Sequence, residues 1–194
     1  MAQAAPCIRA NWTKLALKFL RQRPAPERDP VLARLGDDAL RKVRAAGVFD
    51  WLPAPLHLSL VEALRATRGD EEARRFWRGL MLASFDRALL KPLFEGGLRL
   101  FGRSPRGILR MTPQAYQLVT RDCGSVRTES NDGDGGILLT FSELPPPLRV
   151  PGWVEVCAGN CEAALDALGQ QGTVRIGSRE LADGRFTIYT VPRS

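Results

Sequence analysis

The feature that most constrains this chain is a change of period. Up to Tyr116 apolar residues recur every three or four positions; beyond it they alternate. Two alternating runs, 118–128 and 136–143, precede one amphipathic stretch, 152–168. Two more alternating runs follow, 173–181 and 185–191. The order is β-β-α-β-β. A lone helix between two strand pairs covers one face of an antiparallel sheet, whereas a parallel sheet needs a crossover helix after each strand. The fold class expected is therefore α+β: an N-terminal helical layer packed on a four-stranded antiparallel sheet formed by the β-β-α-β-β C-terminal half. Asp183-Gly184 is the strongest hairpin signal. The stretch from Asn131 to Gly135 reads as a turn or loop tip, and Pro145-Pro146-Pro147 as an extended link.

The helical half divides at its prolines and glycines. Asn11 suits the cap of a short helix with Trp12, Leu15, Ala16, Phe19 and Leu20 on one face and Lys14, Lys18 and Arg21 on the other. Pro24, Pro26 and Pro30 then interrupt the chain. The segment 32–46 reads as one or two helical pieces ended by Gly47. Pro53 and Pro55 suit a helix start, and Gly69 a stop. The longest periodic segment, 71–101, carries Phe76, Trp77, Leu80, Met81 and Phe85, with Pro92 expected to kink or split it. Ser104-Pro105 opens a further helix toward Tyr116. The division expected is residues 1–30 as an N-terminal extension with a short basic amphipathic helix, and 31–194 as a single α+β domain, helical over 31–116 and β-β-α-β-β over 117–192.

At 194 residues, 44% hydrophobic and 25% charged, the chain is long enough to fold on its core alone. Collagen-like, coiled-coil, disulfide-scaffold and wholly disordered classes are excluded. A net charge of +7 points toward an anionic partner. Yet only four of the 28 basic residues are lysines, and no tight basic run accompanies the charge, so a nucleic-acid partner is disfavoured. The four cysteines, at 7, 123, 157 and 161, follow neither disulfide-framework nor zinc spacing. No apolar stretch reaches transmembrane length. A cytoplasmic protein with reduced thiols is expected.

Chemistry-bearing residues are sparse. Cys157 and Cys161 share a helix face, but so do Trp153, Leu165 and Leu168, so burial explains them before metal or redox chemistry does. The only histidine, His57, has no nucleophile motif beside it. Adjacent acidic pairs, Asp37-Asp38 and Glu71-Glu72, sit at helix starts, where the dipole favours them. The glycine-rich stretches match neither phosphate-binding nor dinucleotide spacing. No constellation satisfies the geometry of an active site, so a non-enzyme is expected. A pocket, if present, is expected against Trp77, Leu80, Met81, Phe85, Trp153 and Cys157. A partner surface is expected at Arg99, Arg103, Arg106 and Arg110, together with Lys14 and Lys18.

Scattered residues carry a resemblance. They include the run 102–110 (Gly-Arg-Ser-Pro-Arg-Gly-Ile-Leu-Arg), Tyr116, the run 121–126 (Arg-Asp-Cys-Gly-Ser-Val), the stretches 48–53 and 72–79, and the closing 172–175 and 183–186. Over about residues 31–192 this layout resembles uncharacterised paralogous proteins of myxobacteria. It also resembles, at a distance, the superfamily of haem–nitric-oxide-binding domains, 4-vinyl-reductase-type domains and small vesicle-tethering TRAPP subunits. The resemblance implies a helical layer on a four-stranded sheet with an apolar cavity between them, used for haem, an aromatic or an acyl chain, or an outer surface that pairs subunits. Haem-binding relatives need a proximal His and a Tyr-x-Ser-x-Arg motif, which this sequence lacks; His57 falls too early. Zinc-holding relatives place cysteines near the final hairpin, which here has none. Neither cofactor is carried over, and none is expected. The function expected is a cytosolic ligand-sensing or adaptor domain acting by population shift, with a small hydrophobic ligand and a protein partner or homodimer. The alternatives are a structural interaction subunit, a vinyl-reductase-type enzyme and a basic nucleic-acid binder.

Overall fold

Helix α8 (Pro151–Ala167) is the axis of the structure, a computed structural model that describes residues 5–85, 90–131 and 135–192. On one side lies a sheet of four antiparallel strands in the order β4 (Ser125–Ser130), β5 (Ile137–Ser142), β7 (Arg185–Pro192), β6 (Gly172–Glu180). On the other lies α4 (Ala54–Leu82). The α+β class and the β-β-α-β-β order expected from periodicity are the ones observed. Alternation explains the sheet: Ile137, Leu139 and Phe141 of β5 are buried, as are Phe186 and Ile188 of β7. Phe141 pairs with Phe186 across the strands, and their rings stack at 4.4 Å. Hairpin β6–β7 turns through a 3-10 segment, Leu181–Asp183, closed by Gly184 in the left-handed region. It is a longer turn than the two-residue one Asp183-Gly184 suggests.

Helix α8 differs from its sequence reading. It is not amphipathic but buried on nearly every side, Glu155 included. The glycines allow this. A Cβ on Gly159 would stand 2.6 Å from the carbonyl oxygen of Arg74 and 3.0 Å from the amide nitrogen of Arg78, so α4 and α8 touch backbone to backbone. Glu155 is buried between two guanidinium groups, Arg74 at 2.6 Å and Arg179 at 3.0 Å, which tie α8 to α4 and to β6. Arg78 grips Asp166 through two hydrogen bonds of 2.6 and 2.7 Å.

The helical half breaks where its glycines and prolines direct, with differences in detail. Gly69 (φ 82°, ψ 170°) separates two arms of α4. Pro92 does not kink a long helix; it sits in the first turn of a new one, α5 (Lys91–Phe101). The join between α4 and α5 at 86–89 lies outside the described residues, as do 132–134 of the expected Asn131–Gly135 turn. Ser104 caps α6 (Pro105–Leu109), accepting from the Gly107 amide at 3.4 Å, and α7 (Thr112–Val119) follows.

A second sheet has no counterpart in the sequence reading. β1 (Cys7–Arg9) is its middle strand, between β2 (Trp51–Pro53) and β3 (Thr120–Arg121). Strands of two or three residues are too short to show alternation. The expected strand 118–128 is consequently split. Helix α7 runs through Val119, β3 pairs with β1, and a turn at Gly124 (φ 87°) leads into β4. The segment 1–30, expected as an extension, thus contributes a central strand. Its helix α1 (Ala10–Arg21) buries Trp12, Thr13, Ala16, Leu17 and Leu20 in the common core. Two further helices, α2 (Ala25–Leu35) and α3 (Asp37–Ala45), complete the layer.

Candidate functional site: a cavity between α8 and the α5–α7 wall

One face of α8 is not covered by α4 or the sheet. Trp153, Val156, Cys157, Asn160, Cys161 and Ala164, spaced three and four apart, form a stripe along it. Opposite stands a wall built by α5, α6 and α7. Leu93 and Phe94 face in from α5, Ile108 and Leu109 from α6, and Met111, Thr112, Ala115, Tyr116 and Val119 from α7 and its start. Met81, Phe85 and Leu90 close one end, and Trp12 and Phe141 complete the lining. Between them lies a cavity of about 110 Å³. The α8 wall is mostly buried; much of the facing wall, including Leu93, Phe94, Met111, Thr112 and Ala115, is half-buried.

Of the six residues expected at a pocket, Met81, Phe85, Trp153 and Cys157 stand on this cavity's wall. Trp77 and Leu80 do not. Both are fully buried in the layer between α4 and α8, where Trp77 packs against Phe76 and His57 at ring distances of 5.2 and 5.4 Å. Cys161 and Ala164 were legible as a continuation of the 153/157 face; Asn160 was not, because a periodicity of apolar residues passes over a polar one. The α5–α7 residues carry no local signal, because only the chain reversals after Phe101 and Leu109 bring them round to face α8.

The polar groups of the cavity are few. The Tyr116 hydroxyl donates to the Cys123 carbonyl oxygen at 2.8 Å, and burial holds its pKa well above the ordinary phenol value. The Trp153 indole N–H approaches that hydroxyl closely enough to oppose the rise, without meeting hydrogen-bond geometry. Burial pushes the Cys161 thiol up to about 12 and the Cys157 thiol upward as well, so both stay protonated. The Oδ1 of Asn160 is shielded from solvent and has no hydrogen-bond partner.

His57 is elsewhere. It is buried in α4, with Nδ1 3.0 Å from Thr13 Oγ1 and its ring edge-on to Trp153 at 6.1 Å. Burial alone depresses its pKa to about 3, so it is a neutral imidazole.

The residues expected at a partner surface have several fates. Arg106 reaches from α6 to the β4–β5 connection, donating to the carbonyl oxygens of Gly135 at 3.0 Å and Asn131 at 2.8 Å. Arg110 donates to Ser130 Oγ at 2.8 Å. Lys14 donates to the carbonyl oxygens of Arg44 and Ala46. Arg99, Arg103 and Lys18 are exposed, the first two beside Leu100 and Phe101, which are 75% and 43% exposed. Among the described residues no group of His, Cys, Asp or Glu is placed to hold a metal ion, and no helix is long and apolar enough to cross a membrane.

No protein-family profile and no curated protein matches this chain. Solved structures do. An Fe(II) unliganded mutant of an H-NOX protein from K. algicida superposes with a TM-score of 0.68, covering 96% of this chain and 97% of that one at 8% identity. A T. tengcongensis H-NOX mutant gives 0.61, covering 96% and 98% at 15% identity. An oxygen-binding H-NOX domain related to soluble guanylate cyclases, in its oxygen complex, gives 0.58, covering 96% of both chains at 14% identity. At such identities the likeness is one of fold, and it spans nearly the whole chain. Another matching structure was solved to probe haem distortion in the H-NOX family, so the cavity must be tested against haem. Haem iron is held by His, thiolate, tyrosinate or a Met opposite a His. Here the lone His is off the wall, both thiols and the phenol are held protonated, and Met81 and Met111 have no His to face. The fold is the one shared by H-NOX domains; the donor set on its cavity does not fit haem.

Proposed function

We propose that this chain is a non-enzymatic ligand-sensing domain that works without haem. A small, largely apolar molecule enters the cavity between α8 and the α5–α7 wall and favours one arrangement of that wall. The observation that supports this reading is the cavity itself: about 110 Å³, backed by the buried helix α8, with no charged side chain among the described residues of its lining. A dry cavity of about 150 Å³ lined by Leu, Ile and Phe takes up benzene or xenon. The output would be read on the outer end of α5, where Leu100 and Phe101 stand exposed beside Arg99 and Arg103, by a protein partner or a second copy of the chain. Nucleic acid is disfavoured as that partner, because Arg106 and Arg110 already bind the chain's own oxygens. The four cysteines are free thiols, which suits a reducing cytoplasm.

The test is a pair of titrations on the purified protein. Benzene should raise the melting temperature in proportion to its occupancy, and hemin should give no saturable Soret shift. A tight, stoichiometric hemin complex would overturn the haem-independent reading. Absence of any benzene effect would overturn the ligand site.

A further inference from the structure

Two residues of the cavity lining carry a buried polar atom without a hydrogen-bond partner: Trp153, whose indole N–H leans toward the Tyr116 hydroxyl, and Asn160, whose Oδ1 is an acceptor. On the α8 stripe, four of six side chains are apolar or protonated thiols; the other two are Trp153, a donor, and Asn160. The Asn160 Oδ1 is buried without a donor, while the Tyr116 hydroxyl is already committed to Cys123. Buried polar atoms in native proteins are nearly always paired, so an orphan acceptor on a residue that lines a cavity points to an absent donor. Six rings line the same space: Trp12, Phe85, Phe94, Tyr116, Phe141 and Trp153. Rings pack best against other rings, edge to face or offset. Among the described residues no charged side chain lines the cavity, and an ion would be stripped of water against this neutral lining.

We infer that the cavity selects a small neutral aromatic bearing one hydrogen-bond donor, of the phenol class, and that Asn160 is the residue that determines this specificity. The inference rests on the cavity being a ligand site, and it adds the chemistry of the occupant. The donor O–H of the ligand would face Asn160 Oδ1 and its ring would lie among the six aromatic side chains. A donor-free ring of the same shape would enter but leave the amide oxygen unpaired.

Three probes test it by calorimetry on the intact protein: phenol; toluene, in which a methyl replaces the hydroxyl; and anisole, in which the donor is methylated. A purely apolar cavity takes toluene and anisole more tightly than phenol, because water holds phenol better. The wild-type chain should instead bind phenol at least as tightly as either. Asn160→Leu should shift the phenol-to-toluene ratio of Kd by about fivefold or more toward toluene. If toluene and anisole outbind phenol in the wild type, or Asn160→Leu leaves the ratio unchanged, the specificity is overturned while the ligand site stands. If none of the three binds, both fall. The wild-type comparison needs no variant to fold.

Discussion

The two walls of the cavity are built differently. The α8 wall is clamped from behind: α4 meets it across Gly159 at backbone distance, and Glu155 and Asp166 are gripped by Arg74, Arg179 and Arg78. The α5–α7 wall consists of three short helices, of which α5 buries only Gly97 outright. Its own pieces do interlock. A Cβ on Gly97 would stand 2.5 Å from Met111 Sδ, and one on Gly107 2.2 Å from Phe101 Cβ. Its ties to the sheet include hydrogen bonds from Arg106 to the Gly135 and Asn131 carbonyl oxygens and from Arg110 to Ser130 Oγ. Opening free energies in a native protein follow burial and contact, so the α5–α7 wall should open first while α8 holds. A sensor needs that asymmetry, because a ligand can shift only an element with two accessible arrangements.

The sharpest way to break the comparison is to attack the clamp. Gly159→Ala places a methyl against backbone atoms that cannot move independently. It should cost about 3 kcal/mol, seen as a large drop in the midpoint of urea unfolding. If the variant unfolds at the wild-type midpoint, α4 and α8 are not locked as described.

Acid attacks the same half by a different route. His57 is neutral in the fold with a pKa of about 3, against about 6.5 when unfolded. The unfolded chain therefore binds the extra proton between these values. Stability should be complete above pH 6.5 and fall on acidification, by up to about 1.4 kcal/mol per pH unit until about pH 3. His57→Asn should flatten that limb. An unchanged slope would place the acid sensitivity in the carboxylates instead.

The smallest effect belongs to the other wall. Arg106→Ala removes, among its contacts, the hydrogen bonds to the Gly135 and Asn131 carbonyl oxygens at a half-buried site, and should lower global stability by about 1 kcal/mol or somewhat more. Its signature should be local: faster amide exchange in α5–α7, with α8 unaffected. Equal acceleration in both walls would show that they open as one unit.

Much of this architecture was legible in the residues. The change of period at Tyr116 placed the sheet and the helix crossing it, because alternation and 3.6-residue spacing are local consequences of where apolar side chains must point. Gly69, Pro92 and Ser104 marked helix ends for the same reason. The small sheet was not legible: Ile8, Leu52 and Thr120 meet from segments more than forty residues apart, and none is long enough to announce a strand. The cavity was half legible. Trp153 and Cys157 pointed to the right stripe of α8, but Trp77 and Leu80, equally apolar and equally periodic, belong to the clamp.

What the chain determines by itself is which positions are apolar, where helices must stop, and that a single His and four scattered Cys offer little to a metal. Only tertiary structure decided which apolar face met another and which was left facing a void. The 153/156/157/160 stripe and the Trp77 layer are both largely apolar and differ chiefly in what chain folding brings opposite them. Gly159 lets α4 close on one side of α8 to van der Waals contact, while the rings and short helices on the other side leave about 110 Å³ unfilled. Burial is a relation between distant segments, and periodicity records only one side of it.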